Sequence, residues 1–297
     1  MNTRAGGALD RFPPEALFVF SGVSQYTGAV IAISLFDHLP AGTVAWLRAV
    51  GAAVILLAIT WRSHRNWTRR ELTIAAIFGT VTALMNLSFY FAIERIDLGK
   101  SVVIEFIGPI AVAAVFTRTR RNTLALLLAV GGVLVLSGVE IDNEPLGLLF
   151  IFGASAMWAA YIMIGRTVAS LDRGAGGLAV AMAVGAIVLV PFGAHGIGSA
   201  WSAPGWLVAG LSVGLLSNVI GYGIDQNVLR RVPVRRFAVL LALLPVTAMI
   251  VGFVALGQEP STIDLLGAAL VIAGVMTQER EVLRPREAAD PVPVRRR

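Results

Sequence analysis

The sequence predicts an all-α membrane protein whose ten transmembrane helices form two inverted five-helix repeats. Three observations lead there: an apolar composition, a row of ten apolar runs, and an internal repeat with an odd number of spans per copy. Of 297 residues, 57% are hydrophobic and 14% charged, and the mean hydropathy is +0.78. A soluble domain carries about 45–50% apolar residues, Gly included, and about 25% charged ones. Its single core stops growing at about 250–300 residues. The composition therefore excludes a soluble globular enzyme, a disordered chain and a collagen-like fibre.

The runs follow in order. The opening MNTRAGGALDRFPP is polar and has no cleavage signal. The run 15–36 is too long for a signal-peptide core and reads as a retained span. Further runs lie at 41–60, 72–93, 99–116, 123–139, 146–165, 175–193, 205–225, 237–256 and 262–278. Each approaches the length of about 20 residues that a spanning helix needs. Lipid offers no partner for free N–H and C=O groups, so such runs must be helical. The alternating ten-residue strands of a barrel are absent. Small-residue pairs such as Gly131-Gly132, with Gly138 and Gly267, let helix backbones approach closely.

Net charge is +6, but the basic residues sit in short loops and no nucleic-acid module surrounds them. They read as orientation signals. The N-terminal segment, the even-numbered loops and the C-terminal tail hold 21 Arg, among them Arg69, Arg70, Arg173, Arg231 and Arg236, with Arg62 and Arg65. The odd-numbered loops hold Arg95 and Lys100 alone. This bias places both termini in the cytoplasm of a multi-pass inner (plasma) membrane protein. Residues 279–297 are charged and contain Pro, which predicts a disordered cytoplasmic tail.

The repeat is explicit. Val44–Val54 matches Leu178–Val188 at six of eleven positions, and Gly131–Val139 matches Gly267–Val275 at five of nine. Pro109 answers Pro245, and Phe18 with Tyr26 answers Phe150 with Trp158. All offsets fall between 132 and 136. The halves are 15–139 and 146–278, and an odd span count inverts the second across the membrane, a recurrent transporter architecture.

Polar groups inside spans are costly and carry the functional information. Glu105 and Arg48 lie about 9 and 10 Å below the outer ends of their spans, at about 1.5 Å per residue. They are read as partners, either as a structural pair or as a proton and substrate site. Asn86 and Tyr90 share one helix face at i, i+4. Gln25, Tyr26, Trp158 and Tyr161 sit mid-span, as pocket lining or as packing. Asp225 and Gln226 are read as a solvated helix end. Pro109 and Pro245 each remove a helix hydrogen bond and mark kinks. There is no Cys, and the three His are far apart, so neither a metal site nor a cofactor is expected. No HExxH, GxSxG or P-loop appears, which argues against a membrane-embedded enzyme.

Met85-Asn86-x-x-Phe89-Tyr90-x-x-Ile93, continued by Leu98-Gly99 and Glu105-Phe106-x-Gly108-Pro109, resembles the drug/metabolite transporter superfamily, EamA type. The bacterial threonine/homoserine exporters are the nearest likeness. Trp158-Ala159-x-Tyr161-Ile162 and Ser217-x4-Tyr222-x2-Asp225 carry the same resemblance. It covers residues 15 to 278. It implies ten helices, export of a small amino acid or related metabolite, and coupling to protons. Two positions depart from the exporter pattern: Leu244 stands where Glu precedes the second proline, and Gln258 follows Leu256-Gly257 where Glu is usual. A multidrug or nucleoside-type exporter is the alternative, favoured by an aromatic pocket. The expected partners are a small-molecule substrate, protons and the bilayer, and the architecture leaves a homodimer open.

Overall fold

The computed structural model describes residues 8–60, 67–96, 101, 104–137, 144–171, 173, 175–256 and 259–277. Among them there is no β-strand. The helices are α1 (Pro14–Phe36), α2 (Ala41–Thr60), α3 (Arg69–Ile93), α4 (Ile107–Phe116), α5 (Arg120–Ser137), α6 (Pro145–Ser170) and α7 (Gly176–Val188). Short α8 (Val190–Gly193) and α9 (Ile197–Ser202) follow, then α10 (Pro204–Val213), a π-helical segment Gly214–Tyr222, and α11 (Gly223–Arg231). The chain closes with α12 (Val234–Leu240), α13 (Leu243–Leu256) and α14 (Thr262–Thr277).

Local chemistry sets the ends. Pro14, Pro145 and Pro204 occupy first helical positions, where the missing N–H costs nothing. Thr68 caps α3 in a reciprocal box: its Oγ1 accepts from the Glu71 N–H at 3.2 Å, and its own N–H donates to Glu71 Oε2 at 2.8 Å. Pro191 follows the break after α7, and the two parts are bent by 54°.

Six helices are long and apolar enough to cross a membrane, and seven if the bent pair counts as one. They are α1, α2, α3, α6, Pro204–Arg231 and Val234–Val251. Apolar residues cover the outside as well as filling the core, and the costly polar groups are turned inward. Val54, Ile59, Val115, Ile187, Val254 and Met276 face outward, while Arg48, Asn86, Glu105, Asn218 and Asp225 are buried. Lipid enforces that arrangement, because a polar group is cheapest within the bundle. Several elements run differently from the apolar runs. The eighth run continues to Arg231 instead of ending near 225, the seventh is broken, and the ninth divides at Leu241-Ala242. Arg62, Arg65, Leu98-Gly99, Lys100, Gly138, Gly257, Gln258 and the tail 279–297 lie outside the described residues.

α2 packs on α7, α5 on α14, and α4 on α12. α3 packs on α6, and α1 packs on the stretch Pro204–Arg231; α3 also packs on α7, and that stretch on α2. Glycine lets these backbones touch. A Cβ on Gly51 would run into the Leu211 backbone, one on Gly79 into the Ala181 backbone, and one on Gly214 into the Arg48 carbonyl.

The ion pairs that join segments distant in sequence gather at one end. Arg173 donates to both Glu71 carboxylate oxygens at 2.9 and 2.8 Å, with its guanidinium over the Trp67 ring. Arg236 pairs with Glu15 at 2.6 Å. Arg231 donates to the carbonyls of Leu9 and Phe12, and Arg166 to those of Leu229 and Val232. At the opposite end the His38 ring stacks on Trp206 with centroids 4.6 Å apart.

Gly79→Val should lower the thermal midpoint and the monodisperse yield in detergent, with overpacking costing about 1–3 kcal/mol. Gly153→Ala meets nothing within 4 Å and should be neutral or stabilising, since Ala gains up to about 1 kcal/mol of helix propensity. Fluorescence-detected size exclusion after heating measures both, and equal effects would remove the close-approach argument.

Candidate functional site

A cavity inside the bundle is lined by Gln25, Tyr26 and Ala29 of α1, Arg48 of α2, and Met85, Asn86, Phe89 and Tyr90 of α3. Glu105 and Phe106 ahead of α4, Trp158 of α6, Ser217, Tyr222 and Asp225, and Leu241 and Leu244 complete it. The two interrupted stretches, Glu105-Phe106 and Leu241-Ala242, both border it. Each lies just before a helix that carries a proline at its third position, Pro109 in α4 and Pro245 in α13. The prolines thus mark breaks beside the cavity.

Arg48 forms the centre. Its Nε donates to Asn218 Oδ1 at 2.5 Å, Nη1 to the Tyr90 hydroxyl at 3.2 Å, and Nη2 to the Tyr222 hydroxyl at 3.1 Å. The guanidinium also lies 5.8 Å from the centroid of the Tyr90 ring and 5.6 Å from that of Tyr222, a favourable cation–π distance. Tyr222 in turn donates to Asn86 Oδ1 at 3.1 Å, and Asn86 Nδ2 to the Thr82 carbonyl at 2.9 Å. Asn218 Nδ2 reaches Met182 Sδ at 3.1 Å. A guanidinium has five N–H groups, and two of them have no partner among the described residues. They are available to a planar anionic group such as a carboxylate.

The expected Arg48–Glu105 pair is not formed. The two side chains border the same cavity, yet among the described residues no ion pair or hydrogen bond joins them. Neutral oxygens solvate the cation instead. Glu105 is 9% exposed, and no hydrogen bond or ion pair holds its carboxylate among the described residues. Phe106 and Trp158, edge to face at 4.9 Å, stand beside it in the cavity wall.

A second carboxylate belongs to the cavity. Asp225 is buried, 3% exposed, and lines the cavity rather than a solvated helix end. Its oxygens accept from the Tyr161 hydroxyl and from Ser21 Oγ, each at 3.3 Å. Gln25 Nε2 donates to Ser21 Oγ at 3.0 Å. Tyr161 therefore stands behind Asp225, outside the cavity lining, with its ring 5.3 Å from Tyr222 and 5.0 Å from Phe78. Gln25, Asn86, Tyr90 and Trp158 all border the cavity. Asn218, Tyr222 and Asp225 were legible as a face, since i, i+4 and i+7 line one side of a helix. The end placed at 225 made Asp225 alone look solvated. Among the described residues no group of His, Cys, Asp and Glu is placed to hold a metal.

Residues 145–277 match the EamA-like transporter family. The chain is 31% identical over 279 residues to the threonine/homoserine exporter RhtA of Escherichia coli (strain K12), covering 91% of this chain and 93% of that protein. It is 30% identical over 261 residues to a protein of Streptantibioticus cattleyicolor described as "Probable terminal-alkyne amino-acid exporter", covering 86% and 69%. A crystal structure at 17% identity superposes with a TM-score of 0.68, covering 89% of this chain and 95% of that one, which speaks to the fold alone.

Double-mutant cycles separate the contacts of Arg48. Arg48→Met with Asn218→Leu should show coupling of about 1.5–3 kcal/mol, the range for hydrogen bonds to charged groups. Arg48→Met with Glu105→Gln should show clearly less. Thermal stability in detergent is the readout, and the reverse ranking would reinstate a direct Arg48–Glu105 pair.

Proposed function

Because the chain belongs to the EamA-like transporter family, we propose that it exports a small threonine- or homoserine-like amino acid, or a related metabolite, in exchange for protons. It is a membrane transporter and not an enzyme. One observation carries the substrate reading. A single cavity presents a guanidinium with spare donors and two buried carboxylates, which complements a zwitterion. Arg48 takes the substrate carboxylate, Glu105 alternates between a proton and the substrate ammonium, and Asn86, Tyr90, Gln25 and Trp158 shape the pocket. The names of the relatives, both exporters of amino acids, agree with that chemistry.

The proposal includes ten spans in two inverted repeats, 15–139 and 146–278, with both termini cytoplasmic in the inner membrane. Helix packing supports it. Exchanging the halves turns the α3–α6 contact into that between Pro204–Arg231 and α1, and α3–α7 into that between Pro204–Arg231 and α2. The α2–α7, α4–α12 and α5–α14 contacts map onto themselves. Gly51 and Gly185 occupy matching positions, and each meets a neighbouring helix closely, at Leu211 and at Gly79. The arginine bias gives the orientation. Alternating access is then a rocking of one repeat against the other.

A second reading draws on the walls. Tyr26, Phe89, Phe106 and Trp158, with Leu241 and Leu244, make much of the lining aromatic or aliphatic. Leu244 is the position at which the exporter pattern has Glu. A flat, amphoteric molecule of the nucleoside kind would use those faces.

Bacteria producing the protein should tolerate growth-inhibiting threonine, homoserine or a close analogue better than controls, and the benefit should vanish when an uncoupler collapses the proton gradient. Glu105→Gln, produced at equal level, should protect clearly less than wild type. Protection that survives the uncoupler would make the protein a facilitator. Protection against nucleosides but not amino acids would favour the second reading.

A further inference from the structure

We infer that Asp225 is a second proton-binding site of the transport cavity, so that Glu105 and Asp225 each exchange one proton per cycle. The inference rests on the transport reading above and deepens its coupling. Both side chains border one cavity, both are at least nine-tenths buried, and neither has a cation within ion-pair distance among the described residues. The cationic groups on elements packed against Asp225, Arg11 of the turn Ala8–Arg11 and Arg235 of α12 among them, form no ion pair with it among the described residues. Arg48 is held by Asn218, Tyr90 and Tyr222. Arg166, near the end of α6, is spent on the Leu229 and Val232 carbonyls, and Arg236 of α12 on Glu15. Tyr161 of α6 donates its hydroxyl to Asp225, while α1 contributes Ser21, Gln25 and Tyr26, none of them cationic at neutral pH.

One guanidinium against two carboxylates leaves the empty cavity with one surplus negative charge when both acids are ionised. An unpaired charge in a span costs about 2.5–3.5 kcal/mol on insertion scales, so the site must recruit a positive charge. A proton on an Asp225 oxygen gives a neutral acid that no longer repels a second anion. The substrate brings no net charge: its carboxylate pairs with Arg48, and its ammonium, between the two carboxyls, releases the proton from each of them to solution.

The two acids also divide the cavity between the halves. Glu105 answers Leu241 at the offset of 136, and across offsets of 132 to 136 Asp225 falls opposite Phe89–Ile93, a stretch with no acid. Each half thus contributes one acid with no acidic counterpart. Glu105 lies near the start of its span, whereas Asp225 lies six residues before the far end of its own at Arg231. The acids therefore face the pocket from different levels, with the Tyr161–Asp225–Ser21–Gln25 chain extending the polar surface beyond Asp225.

The test is an equilibrium endpoint, which a merely structural defect slows but does not move. Full-length protein is placed in proteoliposomes with the membrane potential clamped by potassium and valinomycin. Limiting accumulation of radiolabelled L-threonine is read against imposed pH gradients. Each coupled proton contributes about tenfold per pH unit. Wild type should therefore accumulate about tenfold more per pH unit than D225N or E105Q, and the double variant should show no dependence on the gradient. A D225N endpoint equal to wild type overturns the inference. If D225N moves no threonine, or wild type shows no threonine counterflow, dicyclohexylcarbodiimide labelling of wild type decides. It modifies protonated carboxyls in apolar surroundings. Labelling of Asp225 near neutral pH that fades at alkaline pH supports the site, and labelling of Glu105 alone overturns it. Absent counterflow by wild type separately refutes threonine transport.

Discussion

The structure depends on burying the Arg48 guanidinium inside a lipid-facing bundle without an ion pair. A full charge in that position demands oxygen atoms at fixed points around it. Tyr90 comes from α3, and Asn218 and Tyr222 from the π-helical segment. Two helical elements must therefore converge on α2 at one level. Asn86 and Thr82 extend the chain of acceptors along α3. Removing any member would leave a buried donor or acceptor short of a partner, the expensive half of hydrogen-bond energetics.

Convergence of that kind requires backbones in near contact. Gly214 lies against the Arg48 carbonyl and Gly221 against the Gln25 side chain. The π geometry runs between these two glycines, where the helix passes between α1 and α2. π-helical turns occur often at functional sites, and here the segment carries Ser217, Asn218 and Tyr222. Packing and recognition share the same residues, so the small side chains that permit the fold also bring the polar groups within reach of the cavity.

Much of this was legible in sequence. The apolar runs located the starts of the long helices to within about three residues and their ends to within about six, since lipid makes hydropathy and helicity nearly the same question. Arg48, Asn86, Tyr90 and Glu105 stood out because ionisable and amide groups are rare in spans. Asp225 was missed for the opposite reason. It precedes a cluster of arginines, and Arg230 and Arg231 made the helix look finished when it still had more than a turn to run. Partner identity was equally out of reach. Equal depth suggested that Arg48 meets Glu105, but depth says nothing about azimuth around the bundle, and the guanidinium turns toward the π segment. The breaks at Leu189 and at Leu241-Ala242 were hidden inside unbroken apolar stretches.

The two ends of the molecule are closed by different chemistry. One is tied by Glu71 to Arg173 and by Glu15 to Arg236, the other by the flat stack of His38 on Trp206. Both ties at the first end join the N-terminal half to the C-terminal half, as the stack does at the second. Both ion pairs are partly buried, so salt weakens them less than it would an exposed pair, and it leaves an aromatic stack nearly untouched. The contacts that join the two parts of the chain therefore answer to different variables, electrostatic at the first end and dispersive at the second.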